Sequence, residues 1–229
     1  MIHFHEVAVV IPPVMKGETE KVLLEGISLE LAEQRVAVIG ANGSGKSTLL
    51  RLINGMRRPT SGVVTVNGLD TVADAAKVRR EVGFIFTDPL AQLLMSSPIE
   101  DLELSCRYIP RPQRRAHALA LLAERGLDGL AHQSIYDLSG GERQLVALTS
   151  VLAVEPSVIV ADEPTTLLDL RNRVRLRRTL AELPQQVILS THDMQVAAEA
   201  ERVIVIDGGR VAADGAPAET IAWYEKAMS

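Results

Sequence analysis

The stretch Gly40-Ala41-Asn42-Gly43-Ser44-Gly45-Lys46-Ser47-Thr48 leaves a chain few ways to fold around it. It fits G-x-x-x-x-G-K-[ST]. The apolar run Val36-Ala37-Val38-Ile39 before it reads as a buried strand, and Leu49, Leu50, Leu52, Ile53 and Met56 after it recur at helical spacing. Strand, glycine loop and helix together make a cradle for phosphate oxygens. Glycines let successive backbone N–H groups turn inward with no Cβ in the way. A helix beginning near Gly45 adds unsatisfied N–H groups and the positive end of its dipole. Lys46 has the reach for the β- and γ-phosphates of a nucleotide, and the Ser47 hydroxyl can ligate Mg²⁺. Gly40, Asn42, Gly43, Ser44, Gly45, Lys46, Ser47 and Thr48 are therefore expected to bind ATP.

A second signal lies far along the chain. Val158-Ile159-Val160-Ala161-Asp162-Glu163 is an apolar strand that delivers two carboxylates at its C-terminal end, where ligands of parallel sheets bind. Asp162 is placed to hold Mg²⁺, directly or through water, and Glu163 to polarise the water attacking a γ-phosphate. Asp-Glu pairs at strand ends are common; it is the glycine loop that gives this one meaning.

Bulk properties narrow the architecture. The 229 residues suffice for one large domain or a core with a subdomain. Hydrophobic content of 47% and charged content of 23% are those of a folded soluble protein. The net charge of −5 gives a nucleic-acid partner no support, and none is expected. The single Cys106 excludes an intrachain disulfide framework and reads as a small buried apolar residue rather than a reactive thiol. No uninterrupted apolar run reaches the ~18 residues of a membrane-spanning helix. The opening Met1-Ile2-His3-Phe4-His5-Glu6 lacks the basic and long apolar regions of a signal peptide. Work at a membrane would then be that of a peripheral subunit.

Taken in order, His3 to Val10 reads as a strand. His3 and His5 share one of its faces, without carboxylate or Cys spacing to make a metal site, and read as a solvated edge. Pro12 to Lys21 reads as a turn, Val22 to Leu31 as a strand, and Val63 to Val66 as a strand ending in a turn at Asn67-Gly68. A short helix near Thr71 to Arg80 leads into the strand Val82 to Phe86. From Pro89 to about Glu155 the helical period dominates. Strands return at Ser157–Ala161, Gln186–Ser190 and Arg202–Ile206, with helices between them and a hairpin turn at Gly208-Gly209. This alternation predicts a mainly parallel sheet covered on both faces.

Leu138-Ser139-Gly140-Gly141-Glu142 follows the helical stretch and resembles the L-S-G-G-[QE] motif of ABC-type ATPases. The order glycine loop, LSGGE, VIVADE is specific, and the resemblance covers nearly the whole chain. It implies an α/β fold: a P-loop NTPase (RecA-like) core with a mainly parallel sheet, an antiparallel β part and a helical subdomain. These would form one ABC ATPase domain over 1–229, with the core in about 1–88 and 156–229 and the helical part in about 89–155. It implies that Ser139, Gly140, Gly141 and Glu142 cap the γ-phosphate held by an opposite subunit. Two chains, a homodimer being favoured, would sandwich two ATP molecules head to tail. Asp169 corresponds to the loop that crosses this interface, with Leu167 in place of the glycine common there. His192 corresponds to the switch histidine that contacts the γ-phosphate, which makes Glu163 and His192 the expected catalytic pair and Ser47 and Asp162 the expected metal ligands.

Two positions depart from the family pattern. A glutamine reaching towards Mg²⁺ and the attacking water usually follows the strand Val82 to Phe86; here that place is Thr87, whose shorter reach predicts a contact that is water-mediated or lost. Near the first strand, Ile11-Pro12-Pro13 stands where an aromatic ring usually stacks on adenine, so base contact is expected to be apolar. Asp88-Pro89-Leu90-Ala91-Gln92-Leu93-Leu94 resembles the F-[QT]-x-P-x-x-Q-L stretch of energy-coupling factor (ECF) ATPases, importers of vitamins, cobalt or nickel. Gln92 matches the additional glutamine of that group's short helix beside the membrane subunit; a helix packing into its own subdomain is the alternative. With Thr87, the chain looks most like the biotin-type ATPase. The resemblance implies a cytoplasmic-face subunit partnered by a transmembrane coupling subunit and a substrate-binding membrane subunit. An ATPase of an exporter or of a DNA-maintenance complex is the alternative, the latter disfavoured because no long coiled coil or clamp is present.

Overall fold

Alternating burial along Ile2–Ile11 (β1) and Lys21–Leu31 (β2) gives these strands one apolar face each, and they pair antiparallel. The computed structural model describes residues 1–13 and 19–228. Of the turn expected between Pro12 and Lys21, residues 14–18 lie outside the described residues, and Lys21 already belongs to β2. Ser61–Val66 (β4) pairs with the other edge of β1, and the short Leu69–Asp70 (β5) completes a four-stranded antiparallel sheet in the order β2-β1-β4-β5.

The second sheet is built from Arg35–Ile39 (β3), Val82–Ile85 (β6), Val158–Asp162 (β7), Gln186–Ser190 (β8), Arg202–Asp207 (β9) and Arg210–Gly215 (β10). Its order is β10-β9-β3-β8-β7-β6, parallel except for β10, which turns back at Gly208-Gly209. Every residue of β6 and β7 is buried, as strands covered on both faces require. Lys46–Ile53 (α1) lies between the two sheets and buries Leu49, Leu50, Leu52 and Ile53 there. Ala75–Glu81 (α2) closes one end of that core through Val78.

On the other side of the parallel sheet one core gathers the helices Pro98–Ser105 (α3), Arg111–Glu124 (α4), Gly140–Leu152 (α5) and Leu170–Glu182 (α6), with α5 against β6 and α3, α4 and α6 against α5. Met194–Ala197 (α7) and Pro217–Ala227 (α8) cover the β3–β9 side. Cys106 is fully buried, and burial pushes its thiol pKa up, as an inert apolar residue requires. His3 is part exposed, 4.0 Å from Glu30 on the open face of β1.

Several boundaries differ from the expected ones. α1 stops at Ile53 rather than Met56, because Gly55 takes φ 70° and the Asn54 side chain accepts the Met56 N–H at 3.0 Å. α2 starts at Ala75 rather than Thr71, because Asp70 Oδ1 accepts the N–H groups of Val72 and Ala73 and holds them in a turn. β5, β10 and α8 had no strong periodic signal; they are short or half-exposed elements placed by contact with the sheets.

Candidate active site

β3 delivers the chain to the glycine loop at Gly40, where a Cβ would overlap the Ile206 carbonyl oxygen and φ is 145°. Gly45, at φ 117°, opens α1. The Lys46 ammonium is folded into the loop, donating to the carbonyls of Gly40 at 2.7 Å and Ala41 at 3.0 Å. Ser44 Oγ is buried with no hydrogen-bond partner among the described residues. A curled loop with a buried cation and an unused hydroxyl is suited to an anion rich in acceptor oxygens. Asn42, Gly43, Gly45, Lys46, Ser47 and Thr48 border one cleft, with Lys21 and Leu23 of β2 across from them. Ile11 is half-buried and Pro12 and Pro13 are exposed, and none of the three borders this cleft among the described residues.

β7 brings Asp162 beneath the loop. Its Oδ1 accepts from Ser47 Oγ at 2.9 Å and from Ser190 Oγ at 2.8 Å, and Arg51 Nη2 lies 3.8 Å from Oδ2. A hydroxyl and a carboxylate already in contact beside a phosphate cradle form an all-oxygen donor set that fits Mg²⁺. Glu163 follows at φ 49°, its N–H donating to Ser190 Oγ at 3.0 Å. Its Oε2 lies 2.7 Å from His192 Nδ1 and accepts from Thr166 Oγ1 at 3.1 Å. Glu163 and His192 border a second cleft with Gly40, Ala41 and Asn42.

The structure thus gathers the glycine loop, Asp162, Glu163 and His192 at one end of the parallel sheet. Ser139, Gly140, Gly141, Glu142 and Asp169 form a separate group and border neither cleft among the described residues. Ser139 caps α5, its hydroxyl accepting the Glu142 N–H at 3.3 Å while Glu142 Oε2 accepts from the Ser139 N–H at 2.8 Å. The Ser139 hydroxyl and N–H hold the Glu142 carboxyl below the usual carboxylate range. Asp169 caps α6 through the Asn172 N–H at 2.9 Å, which lowers its pKa as well. Gly141 lies so close to Asn172 that any Cβ would overlap that amide, so the two caps stand side by side.

Two side chains take partners that the spacing did not name. Thr87 Oγ1 donates to the Asp162 backbone carbonyl at 2.7 Å, the end of the adjacent strand, rather than reaching out as the longer glutamine would. The Gln92 amide turns inward, Oε1 accepting from the Phe86 N–H and Nε2 donating to the Ala147 carbonyl, both at 3.2 Å. That is the packing role, and it leaves Leu94, 74% exposed, as the outward side chain of this turn. Sequence reasoning missed Ser190, Thr166 and Tyr224, the last of which borders the second cleft from α8. Ser190 carried a faint signal, a hydroxyl ending an apolar strand two residues before His192; Tyr224 carried none.

A family profile described as ABC transporter matches residues 24–166. The chain belongs to the ABC transporter family of ATP-binding proteins. It is 43% identical to a putative ABC transporter ATP-binding protein of Bartonella quintana, over 90% of this chain and 92% of that one. It is 44% identical to the biotin transport ATP-binding protein BioM of Rhizobium etli, over the same shares. A dimeric ATP-binding cassette solved in a post-hydrolysis state with ADP and Pi superposes with a TM-score of 0.84 at 29% identity, over 95% of this chain and 99% of that one. As an ABC ATPase the chain binds and hydrolyses ATP on an α/β cassette fold.

Proposed function

We propose that this ABC ATPase is the energising subunit of an ECF-type importer, with biotin the favoured substrate. The observation that carries the reading is the 44% identity to a biotin transport ATP-binding protein along nearly the full length of both chains. Relatives named as ECF and cobalt import ATP-binding proteins support the same class. The chain acts as one ABC ATPase domain, with a nucleotide core in about 1–88 and 156–229 and a helical part in about 89–155. Among the described residues no helix is long and apolar enough to cross a membrane. The chain sits on the cytoplasmic face, held by a transmembrane coupling subunit, with a substrate-binding membrane subunit beside it.

In this reading the loop N–H groups and Lys46 take the phosphates of ATP, Lys46 exchanging its carbonyl partners for β/γ oxygens. Ser47 and Asp162 would hold Mg²⁺, which would supply positive charge against the transferred phosphoryl group. Glu163 accepts a proton from the water that attacks the γ-phosphorus, as the bond to the ADP oxygen breaks. His192 holds Glu163 at Oε2 and faces the γ-phosphate. Ser139, Gly140 and Gly141 of a second copy bring their helix N-terminus to that phosphate, and Asp169 crosses between copies. Closure on ATP and opening after hydrolysis move the membrane partners.

The test is purification from detergent extracts with the associated membrane proteins, followed by ATP-driven uptake of labelled biotin and of cobalt into vesicles. Biotin uptake supports the reading. Cobalt uptake alone moves the assignment to the metal importers, and ATP hydrolysis without uptake of either overturns the import class tested.

A further inference from the structure

At the end of β7 the sheet stops supplying backbone partners. β6 pairs with β7 only as far as Ile85 opposite Ala161, and β8 as far as Ser190 opposite Asp162. The peptide joining Asp162 to Glu163 is nevertheless held on both sides. Its carbonyl accepts from Thr87 Oγ1 at 2.7 Å, from the β6 side. Its N–H donates to Ser190 Oγ at 3.0 Å, from the β8 side. The Ser190 hydroxyl, fully buried, donates its own hydrogen bond to Asp162 Oδ1 at 2.8 Å, so its donor and one acceptor site are both used. Thr87 is itself braced, because the preceding Phe86 has its N–H bound by Gln92 and its carbonyl bound by Gln144 Nε2 at 3.3 Å.

We propose that Thr87 and Ser190 are positioning residues that clamp the Asp162–Glu163 peptide plane from two neighbouring strands, and so fix the angle between the metal-holding carboxylate and the base. The proposal rests on the reading of Glu163 as general base. The physical case is that Glu163 stands at φ 49°, a left-handed conformation unfavourable for a residue with a side chain, with hydrogen bonds on both sides of its preceding peptide to hold it. Rotation of that one peptide swings the Glu163 carboxylate away from His192 and the attacking water while leaving the phosphate loop untouched. Thr87 therefore serves the reaction through the backbone, and a glutamine at this place would remove the hydroxyl that does so. Ser190 has a second duty. Were Ser47 and Asp162 to hold Mg²⁺, Ser190 would be the hydroxyl left to keep Asp162 Oδ1 in place.

The experiment compares steady-state ATP hydrolysis and equilibrium ATP binding for wild type, Thr87→Val, Thr87→Ser, Thr87→Gln, Ser190→Ala and the Thr87→Val/Ser190→Ala double variant, with Glu163→Gln alongside. Thr87→Val keeps the shape and deletes the hydroxyl; it and Ser190→Ala are expected to lower kcat by about ten- to a hundredfold, with ATP affinity within about twofold of wild type. Thr87→Ser restores most of the rate, Thr87→Gln does not, and the double variant loses less than the product of the two single losses because both act on one peptide. Unchanged kcat in Thr87→Val, or equal losses in Thr87→Val and Thr87→Ser, overturns the clamp. A parallel loss of ATP binding reveals a folding defect and overturns it too. Near-wild-type turnover in Glu163→Gln sinks the general-base reading instead, whereas loss there with full activity in Thr87→Val sinks the clamp alone.

Discussion

Glu163 reaches Oε2 contacts with both His192 and Thr166 from a backbone conformation that costs about 1–3 kcal/mol for a residue with a side chain. Replacing it with glutamine preserves shape and hydrogen bonding but removes the proton acceptor. Glu163→Gln should bind ATP normally and lose about 10²–10⁴-fold in kcat; turnover close to wild type would remove Glu163 from the chemistry. Lys46 makes the opposite kind of contribution. Its ammonium is buried among loop carbonyls and has charge-assisted bonds to offer a phosphate. Lys46→Ala should weaken ATP binding by roughly 10- to 150-fold, the equivalent of one charged hydrogen bond. Titration with a fluorescent nucleotide distinguishes the two variants, since one should fail in turnover and the other in binding.

Helices α5 and α6 start beside one another, and each is begun by a side chain the sequence offered for nucleotide contact. Ser139 and Glu142 form a reciprocal cap on α5, and Asp169 caps α6. Ser139→Ala should therefore cost about 1 kcal/mol of stability, besides any effect on ATP-driven closure. The acid sensitivity follows from the same caps. Both carboxyls have pKa values lowered on folding, so their stabilisation is fully present above the ordinary carboxylate range, about 4, and is lost as pH falls through the lowered values. The melting temperature should drop below about pH 4, and Glu142→Gln should flatten part of that drop. An unchanged acid limb in that variant would show that the cap carries no linkage. Gly141→Ala should displace the Asn172 amide, whose atoms its Cβ would overlap, and break the Asn172 Nδ2 bond to Asp169 Oδ2, with a loss of melting temperature as the readout.

Within one molecule Ser139 and Asp169 border neither cleft of the phosphate loop and its carboxylates, and the proposed reading brings the two groups together from two copies. ATP should drive Glu163→Gln into a stable dimer visible by light scattering. Adding Ser139→Ala should weaken that dimer while leaving ATP binding to the single chain unchanged; equal damage to both would count against a composite site. Arg202 ties the fold together at a longer range. It pairs with Asp214 of β10 at 2.7 Å, with Glu33 at 3.1 Å, and with the Glu30 carbonyl at 2.7 Å, joining the edges of the two sheets. These partners hold its pKa above the usual arginine value, so it stays charged throughout the folded range. Arg202→Met should lower the melting temperature with little change in ATP affinity, since none of these groups borders the nucleotide cleft.

What the sequence determined was local. The glycine loop, the helix it opens and the carboxylates at the end of an apolar strand are each written within about ten residues, because their geometry comes from φ permissions, hydrophobic period and helix termini that neighbours in the chain set for themselves. Ser139 to Glu142 and Asp169 were legible as family motifs, whereas their reciprocal and N-terminal caps on α5 and α6 came from the structure. The tertiary structure alone decided what the polar side chains at strand ends touch. Thr87 could not be read as a partner of the Asp162 carbonyl, nor Ser190 as a partner of the Glu163 N–H, because those contacts span 75 and 27 residues and exist only once β6, β7 and β8 lie in register. Gln92 turned inward and Tyr224 reached the cleft for a like reason. A hydrogen-bonding side chain takes the nearest unsatisfied group, and which group is nearest is fixed by packing rather than by spacing along the chain.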